Sequence, residues 1–135
     1  MTQTKLAIII NSPSYDRVSY ALSIAAMSAA QFNEVHVLFT YGAVLRLVKG
    51  RVNVVSDETE AWIRKDVERG LENGTIKKIS ELISFLQGFG GKIYACVAAM
   101  QFHNITKDDL IDVIDERIGI STFLLKTEGA AITYV

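Results

Sequence analysis

Cys96 is the single cysteine of this 135-residue chain and stands at the end of a short apolar run, KIYAC, from Lys92 to Cys96. One thiol has no partner for an intramolecular disulfide, so any redox or group-transfer chemistry here needs a sulfur from another molecule. Two readings stay open. If residues 97–102 turn helical, free backbone N–H groups beside the sulfur favour the thiolate and make Cys96 a nucleophile. Otherwise it is a small buried hydrophobe, as free cysteines commonly are.

The two histidines, His36 and His103, offer less. His36 lies within the apolar run VHVLFT and reads as a core histidine bonded through its ring. His103 comes seven positions after Cys96, beside Asn104, where it could assist proton transfer at the thiol or simply sit at the surface. No close metal-ligand spacing joins these three residues, and no metal or cofactor is expected. The phosphate-binding patterns G-x-G-x-x-G and G-x-x-x-x-G-K-[ST] are absent, and Gly88, Gly90 and Gly91 read as a turn before a strand. Arg17, Arg46, Lys49 and Arg51 could bring cations to an anionic sulfur compound, or be solvated surface charge. Trp62, Ile63 and Val67 suit either a partner or the chain's own sheet. The acidic residues Asp108, Asp109, Asp112, Asp115 and Glu116 read as a solvated helix face.

The elements that must position these groups alternate between strand and helix. Leu6–Ile10 is a continuous apolar run, as in a strand covered on both faces, and the Ala-rich stretch from Arg17 to Gln31 is a helix capped by Ser12 or Ser14. Val35–Thr40 is a second strand, followed by a short helix from about Gly42 to Lys49. Ser56 is expected to open a helix carrying Ile63, Val67 and Leu71, and Ile76 to Leu86 mark another. Residues 92–97 form the third strand. A Thr106–Asp109 capping box predicts a helix with Leu110, Ile111 and Ile114, then a short strand at 117–120, a helix capped by Ser121 and a closing strand at 130–135. This pattern defines an α/β protein, a three-layer α/β/α arrangement around a mostly parallel sheet of about five strands, with residues 1–135 as one domain. Ligands of such sheets gather beyond the carboxyl ends of the strands. The candidate pocket around Cys96 therefore takes in Asn11, Ser12, Ser14, Tyr41, Met100 and His103.

Composition narrows the function classes. A net charge of −1 with scattered Lys and Arg gives no footprint for nucleic acid or an anionic membrane. No stretch is apolar enough for a membrane span or a signal-peptide core, and one cysteine fits a reducing compartment, so a cytoplasmic location is expected. With 50% hydrophobic residues, a chain this small has apolar surface for subunit interfaces to absorb.

Three stretches together resemble the DsrE/DsrF-like sulfur-relay family and cover most of the chain. They are SYDRVSYALSIAAMSA (Ser14 to Ala29), VHVLFTYGAVLRLVKG (Val35 to Gly50), and KIYACVAAM (Lys92 to Met100) followed by DLIDVIDERIGISTFL (Asp109 to Leu124). The third is the most specific. The resemblance implies a parallel α/β fold, a homotrimer or hexamer, and Cys96 at the position where active members carry sulfur as a persulfide. It also implies donor and acceptor proteins, or small sulfur compounds, as partners. Where the family's cysteine is often followed by x-x-Ser-Met, this chain has Val97-Ala98-Ala99-Met100. The expected function is sulfur carriage or sulfurtransfer, in which Cys96 accepts sulfane sulfur as a persulfide or thiosulfonate and passes it to a partner thiol. The alternatives are a non-catalytic oligomeric binding subunit with a structural cysteine, and a thiol peroxidase.

Overall fold

The computed structural model describes residues 3–135. Five strands, β1 (Lys5–Ile10), β2 (Glu34–Phe39), β3 (Lys92–Cys96), β4 (Glu116–Ile118) and β5 (Ala131–Tyr134), form one sheet in the order β4-β3-β2-β1-β5. All four pairings are parallel. Helices α1 (Tyr15–Ala30), α2 (Ala61–Asn73), α3 (Ile79–Gly88), α4 (Val97–Phe102) and α5 (Ile120–Lys126) lie between them. The expected three-layer α/β/α fold is present.

The order of the strands fixes the layers. The steps from β1 to β2 and from β2 to β3 run in one direction, and right-handed crossovers therefore put α1, α2 and α3 on the same face. There Tyr15 of α1 accepts a hydrogen bond at its phenol oxygen from the Ile79 N–H, which ties α1 to the start of α3 at 3.1 Å. The return from β4 at one edge to β5 at the other sends α5 across the opposite face. That face is where Tyr94 meets Phe123 edge-on, with ring centroids 5.9 Å apart.

The absence of clean alternation in the central strands now has its cause. Ala7, Ile8 and Ile10 of β1 and the run Val35–Phe39 of β2 are buried, because helices cover the sheet from both sides. The Ala-rich sequence of α1 lets that helix lie close to the sheet, with Ala21, Ala25, Ala26 and Ala29 fully buried.

Several boundaries differ from the sequence expectation. α1 begins at Tyr15, and Ser14 stands at its N-cap position without a side-chain capping bond, its hydroxyl bonding to Asp16 instead. The helix expected from Ser56 begins at Ala61, since residues 56–60 are folded around the Glu58 carboxylate, which accepts bonds from the Ser56 and Thr59 N–H groups. β3 ends at Cys96, and the fourth strand ends at Ile118, so α5 starts at Ile120 with Gly119 rather than Ser121 at its N-cap.

The largest departure lies after Thr106. The capping box forms as expected, but it heads only a single 3-10 turn, Lys107–Asp109. Leu110 instead pairs with Val48 in an antiparallel bridge, and the Ile111 N–H donates to the Leu47 carbonyl at 2.9 Å. These long-range bonds use backbone groups that a continuing helix would need. Gly91 meets a different constraint: a Cβ there would come within 2.3 Å of Leu86 Cδ1 and 3.0 Å of the Leu86 carbonyl oxygen. The glycine is what lets β3 start directly against the end of α3.

Candidate functional site

Cys96 sits at the last position of β3 with φ −74° and ψ 120°, and it is the N-cap residue of α4. The strand delivers the residue to the carboxyl rim of the sheet, and the helix turns away immediately. In a helix the first N–H groups have no intrahelical acceptor, and the Cys96 side chain makes no capping hydrogen bond to those of α4. Cys96 is only 1% exposed. It nevertheless lines a cavity of about 260 Å3, together with Thr40, Tyr41, Ala98, Ala99, Phe102 and Ile120.

The outer wall of this cavity is aromatic. Tyr41 and Phe102 are 59% and 70% exposed, and their rings meet edge-to-face at 6.1 Å and 79°. Tyr41 has φ +44°, a left-handed conformation that an aromatic residue adopts at some cost. Its neighbours enforce it. The Thr40 N–H donates to the Ile10 carbonyl at 2.9 Å, and the Ala43 N–H donates to the Asn11 carbonyl at 3.2 Å, which fastens the turn to the end of β1. A Cβ on Gly42 would approach Pro13 Cδ to 2.8 Å, so the chain passes Pro13 with only hydrogen to spare.

Of the residues singled out from the sequence, Tyr41 shares the cavity with Cys96. Asn11 supports it from behind through the backbone bond to Ala43. Ser12 and Ser14 lie in the preceding loop, where the Ser12 hydroxyl accepts from the Ser14 N–H at 3.1 Å. Met100 is on the buried side of α4, within the core. His103 caps the other end of α4. Its ring packs edge-on against Phe102 at 4.9 Å, and its Nε2 is buried without a hydrogen-bond partner.

Thr40, Ala98, Ala99, Phe102 and Ile120 also line the cavity and lie outside the pocket residues expected from the sequence. A signal existed for three of them, since positions 98, 99 and 102 fall on one face of a helix starting at 97. Ile120 gives no local signal. It arrives because β4 pairs with β3, Cys96 opposite Ile118, and α5 begins two residues later.

The basic residues are placed differently from the rim cations considered above. Arg46 is 3% exposed, and burial pushes its guanidinium pKa down, against the opposing pull of Glu58. Its Nε donates to the Pro13 carbonyl at 2.8 Å, and Nη2 bonds the Glu58 carboxylate at 2.6 Å. Its Nη1 donates to the Arg51 and Val54 carbonyls. Arg46 is therefore neither solvated nor available to a ligand. With Arg51 it lines a separate cavity of about 280 Å3. None of Arg17, Arg46, Lys49 and Arg51 lines the cavity of Cys96.

The other polar groups serve the fold. His36 is buried between the Tyr94 hydroxyl at its Nδ1, 2.7 Å away, and the Glu34 carboxylate at its Nε2, 2.6 Å away. Burial, with the carboxylates of Glu116, Asp115 and Glu34, pushes the Tyr94 phenol up to about 12, so its hydroxyl keeps its proton. Nor do the acidic residues form a helix face. Asp109 closes the capping box, and the bonds from Thr106 hold its carboxyl below the usual range. Asp115 accepts the Ile93 N–H at 2.7 Å. Among the described residues no group of three or more His, Cys, Asp or Glu is arranged to hold a metal, and no helix is long and apolar enough to cross a membrane.

A parallel three-layer sheet with a lone thiol where a strand passes into a short helix defines an α/β protein with a candidate cysteine site at the carboxyl rim. The family model described as the DsrE/DsrF-like family matches residues 4–129, and the chain belongs to that family. Membership associates it with sulfur relay at the family level. Two solved structures share the fold. The protein of unknown function MTH1491 from Methanobacterium thermoautotrophicum is 19% identical, with 98% of this chain and 100% of that one covered at a TM-score of 0.64. The ychN protein from E. coli is 14% identical, with 99% and 100% covered at a TM-score of 0.68. No curated protein matches the sequence.

Proposed function

We propose that this protein is a sulfur carrier that accepts sulfane sulfur on Cys96 as a persulfide and passes it to the thiol of a partner. The observation that carries the reading is the cavity bordered by Cys96 at the carboxyl end of β3, in a chain of a sulfur-relay family. The Cys96 thiolate attacks the outer sulfur of a donor persulfide, R–S–SH. A new S–S bond forms on Cys96 as the donor's S–S bond breaks, and R–S⁻ departs and takes up a proton from water. An acceptor thiolate then attacks the terminal sulfur held on Cys96, and the Cys96 thiolate leaves. Neither step needs a resolving cysteine, so one cysteine suffices. N–H groups of the first turn of α4 stabilise the anion, and the cavity walls shield it from oxidation.

The partners are sulfur donors and acceptors and the working form is a homotrimer or hexamer, as the family resemblance implies, while the single cysteine suits a reducing, cytoplasmic location. Incubation with a persulfide donor followed by intact mass measurement should show one added sulfur, absent in Cys96→Ala. A chain that gains no sulfur from any persulfide contradicts the proposal. The near-complete burial of Cys96 favours a second reading, a non-catalytic subunit with a structural cysteine. Under that reading the native thiol reacts with alkylating reagents only on unfolding.

A further inference from the structure

The wall of the Cys96 cavity carries no charged residue: Thr40 and Tyr41 supply its polar side chains, and the rest is Ala98, Ala99, Phe102, Ile120 and the thiol itself. The guanidinium of Arg46 is committed to four acceptors elsewhere, in Pro13, Arg51, Val54 and Glu58. An anion entering this cavity sheds water and meets no charged side chain in return, and in the carrier reading the N–H groups at the start of α4 serve the Cys96 anion itself, so a second anion enters at a cost. The edge-to-face rings of Tyr41 and Phe102 line the same cavity as the sulfur. The Tyr41 backbone, at φ +44°, lies in a turn fastened to the end of β1 by the bonds of Thr40 and Ala43, and its side chain is exposed.

From these features we infer that Tyr41 and Phe102 are specificity-determining residues, an aromatic gate that admits an uncharged sulfane sulfur to Cys96 and rejects sulfur oxyanions such as thiosulfate. This inference rests on the sulfur-carrier reading and adds the class of donor: a persulfide reacting in its neutral S–SH form. The attack on it is the balanced exchange given above, with no external oxidant or reductant. Thiosulfate brings two negative charges to an apolar entrance. His103, packed edge-on behind Phe102, backs the gate without entering the cavity.

The test uses two thiol reagents with the same ethyl chain, neutral 2-hydroxyethyl methanethiosulfonate and the anionic 2-sulfonatoethyl methanethiosulfonate, on the intact native protein. Each rate at Cys96 is divided by the reagent's rate with a free cysteine peptide. The neutral reagent should be favoured by at least about tenfold. Phe102→Arg, which places a cation at the entrance, should cancel or reverse that preference. Tyr41→Ala should speed both reagents, while Tyr41→Phe, keeping the ring, should behave as the wild type. Circular dichroism of each variant checks that it is folded, and Phe102→Leu replaces Phe102→Arg if the latter is not, with faster entry expected.

Equal normalised rates for the two reagents, no native labelling by either, or Tyr41→Ala and Phe102 variants that label like the wild type would each overturn the inference. The labelling involves no sulfur transfer. A protein that labels selectively yet gains no sulfur from persulfides would retain the gate and lose the carrier reading, and the reverse result would do the opposite.

Discussion

Arg46 shows how much a single buried side chain organises here. Its guanidinium satisfies three backbone carbonyls and the Glu58 carboxylate, and so fastens the irregular segment between Val48 and Ala61 to the loop after β1. Arg46→Ala removes a buried charge and leaves those acceptors unpaired, which should cost about 3 kcal/mol in urea unfolding. A loss below about 1 kcal/mol would mean that the segment is held by its other contacts. Glu34 gives a pH-dependent counterpart. Its hydrogen bond with His36, assisted by Lys5, lowers its pKa below the ordinary value of 4.5. A carboxyl depressed in the folded state stabilises above its unfolded pKa, and that contribution disappears as pH falls through the folded value. Glu34→Gln should therefore flatten the decline of the unfolding midpoint on acidification below about pH 4.5. Identical slopes in the two proteins would show that the Glu34–His36 bond does not contribute. With the Glu34 side chain 43% exposed, solvent screens much of the effect, and the slope rather than its size is the readout.

At the scale of elements, the passage from α3 into β3 depends on Gly91, whose added Cβ would run into the Leu86 side chain and press on its carbonyl. Gly91→Ala should destabilise the protein by about 2 kcal/mol, measured by thermal or urea unfolding, because one of the contacts is backbone and cannot rotate away. A neutral substitution would imply that β3 can shift along its neighbours. The strands and long helices were legible in the sequence because their signals are local: the runs Leu6–Ile10 and Val35–Phe39, the Ala-rich α1, the glycines after α3. What failed was decided at long range. The capping box at Thr106 reads as the start of a helix, yet the Leu47–Ile111 bond and the Val48–Leu110 bridge end it after one turn. Arg46 reads as surface charge because nothing nearby reveals its four acceptors. The site was legible to the same extent: the position of Cys96 at a strand end and the turn containing Tyr41 are local, whereas Ile120 reaches the cavity only through the pairing of β4 with β3.

Taken as a whole, the molecule is unevenly covered. One face of the sheet is packed under α1 and α3, while the other carries the seven-residue α5. On α5's face the register places Ile132 and Tyr134 of β5 in line with Ala7 and Ile9 of β1, and both are exposed. Leu124 and Leu125 of α5 are exposed as well. The proposed homo-oligomer gives this apolar surface a use, and burying a side chain such as Leu125 contributes about 2 kcal/mol. Sedimentation equilibrium should then give a mass of three or six chains, as implied by the family resemblance. Leu125→Glu combined with Ile132→Lys should shift the protein toward the monomer while its circular dichroism stays unchanged. A wild-type chain that sediments as a monomer, or a double variant with the parental mass, would remove this face from the interface. The consequence reaches the thiol, because α5 also supplies Ile120 to the wall of the Cys96 cavity. In the proposed oligomer a neighbouring copy seated on α5 would stiffen that wall, so the dissociated variant should label faster at Cys96 with a bulky maleimide than the assembled protein does.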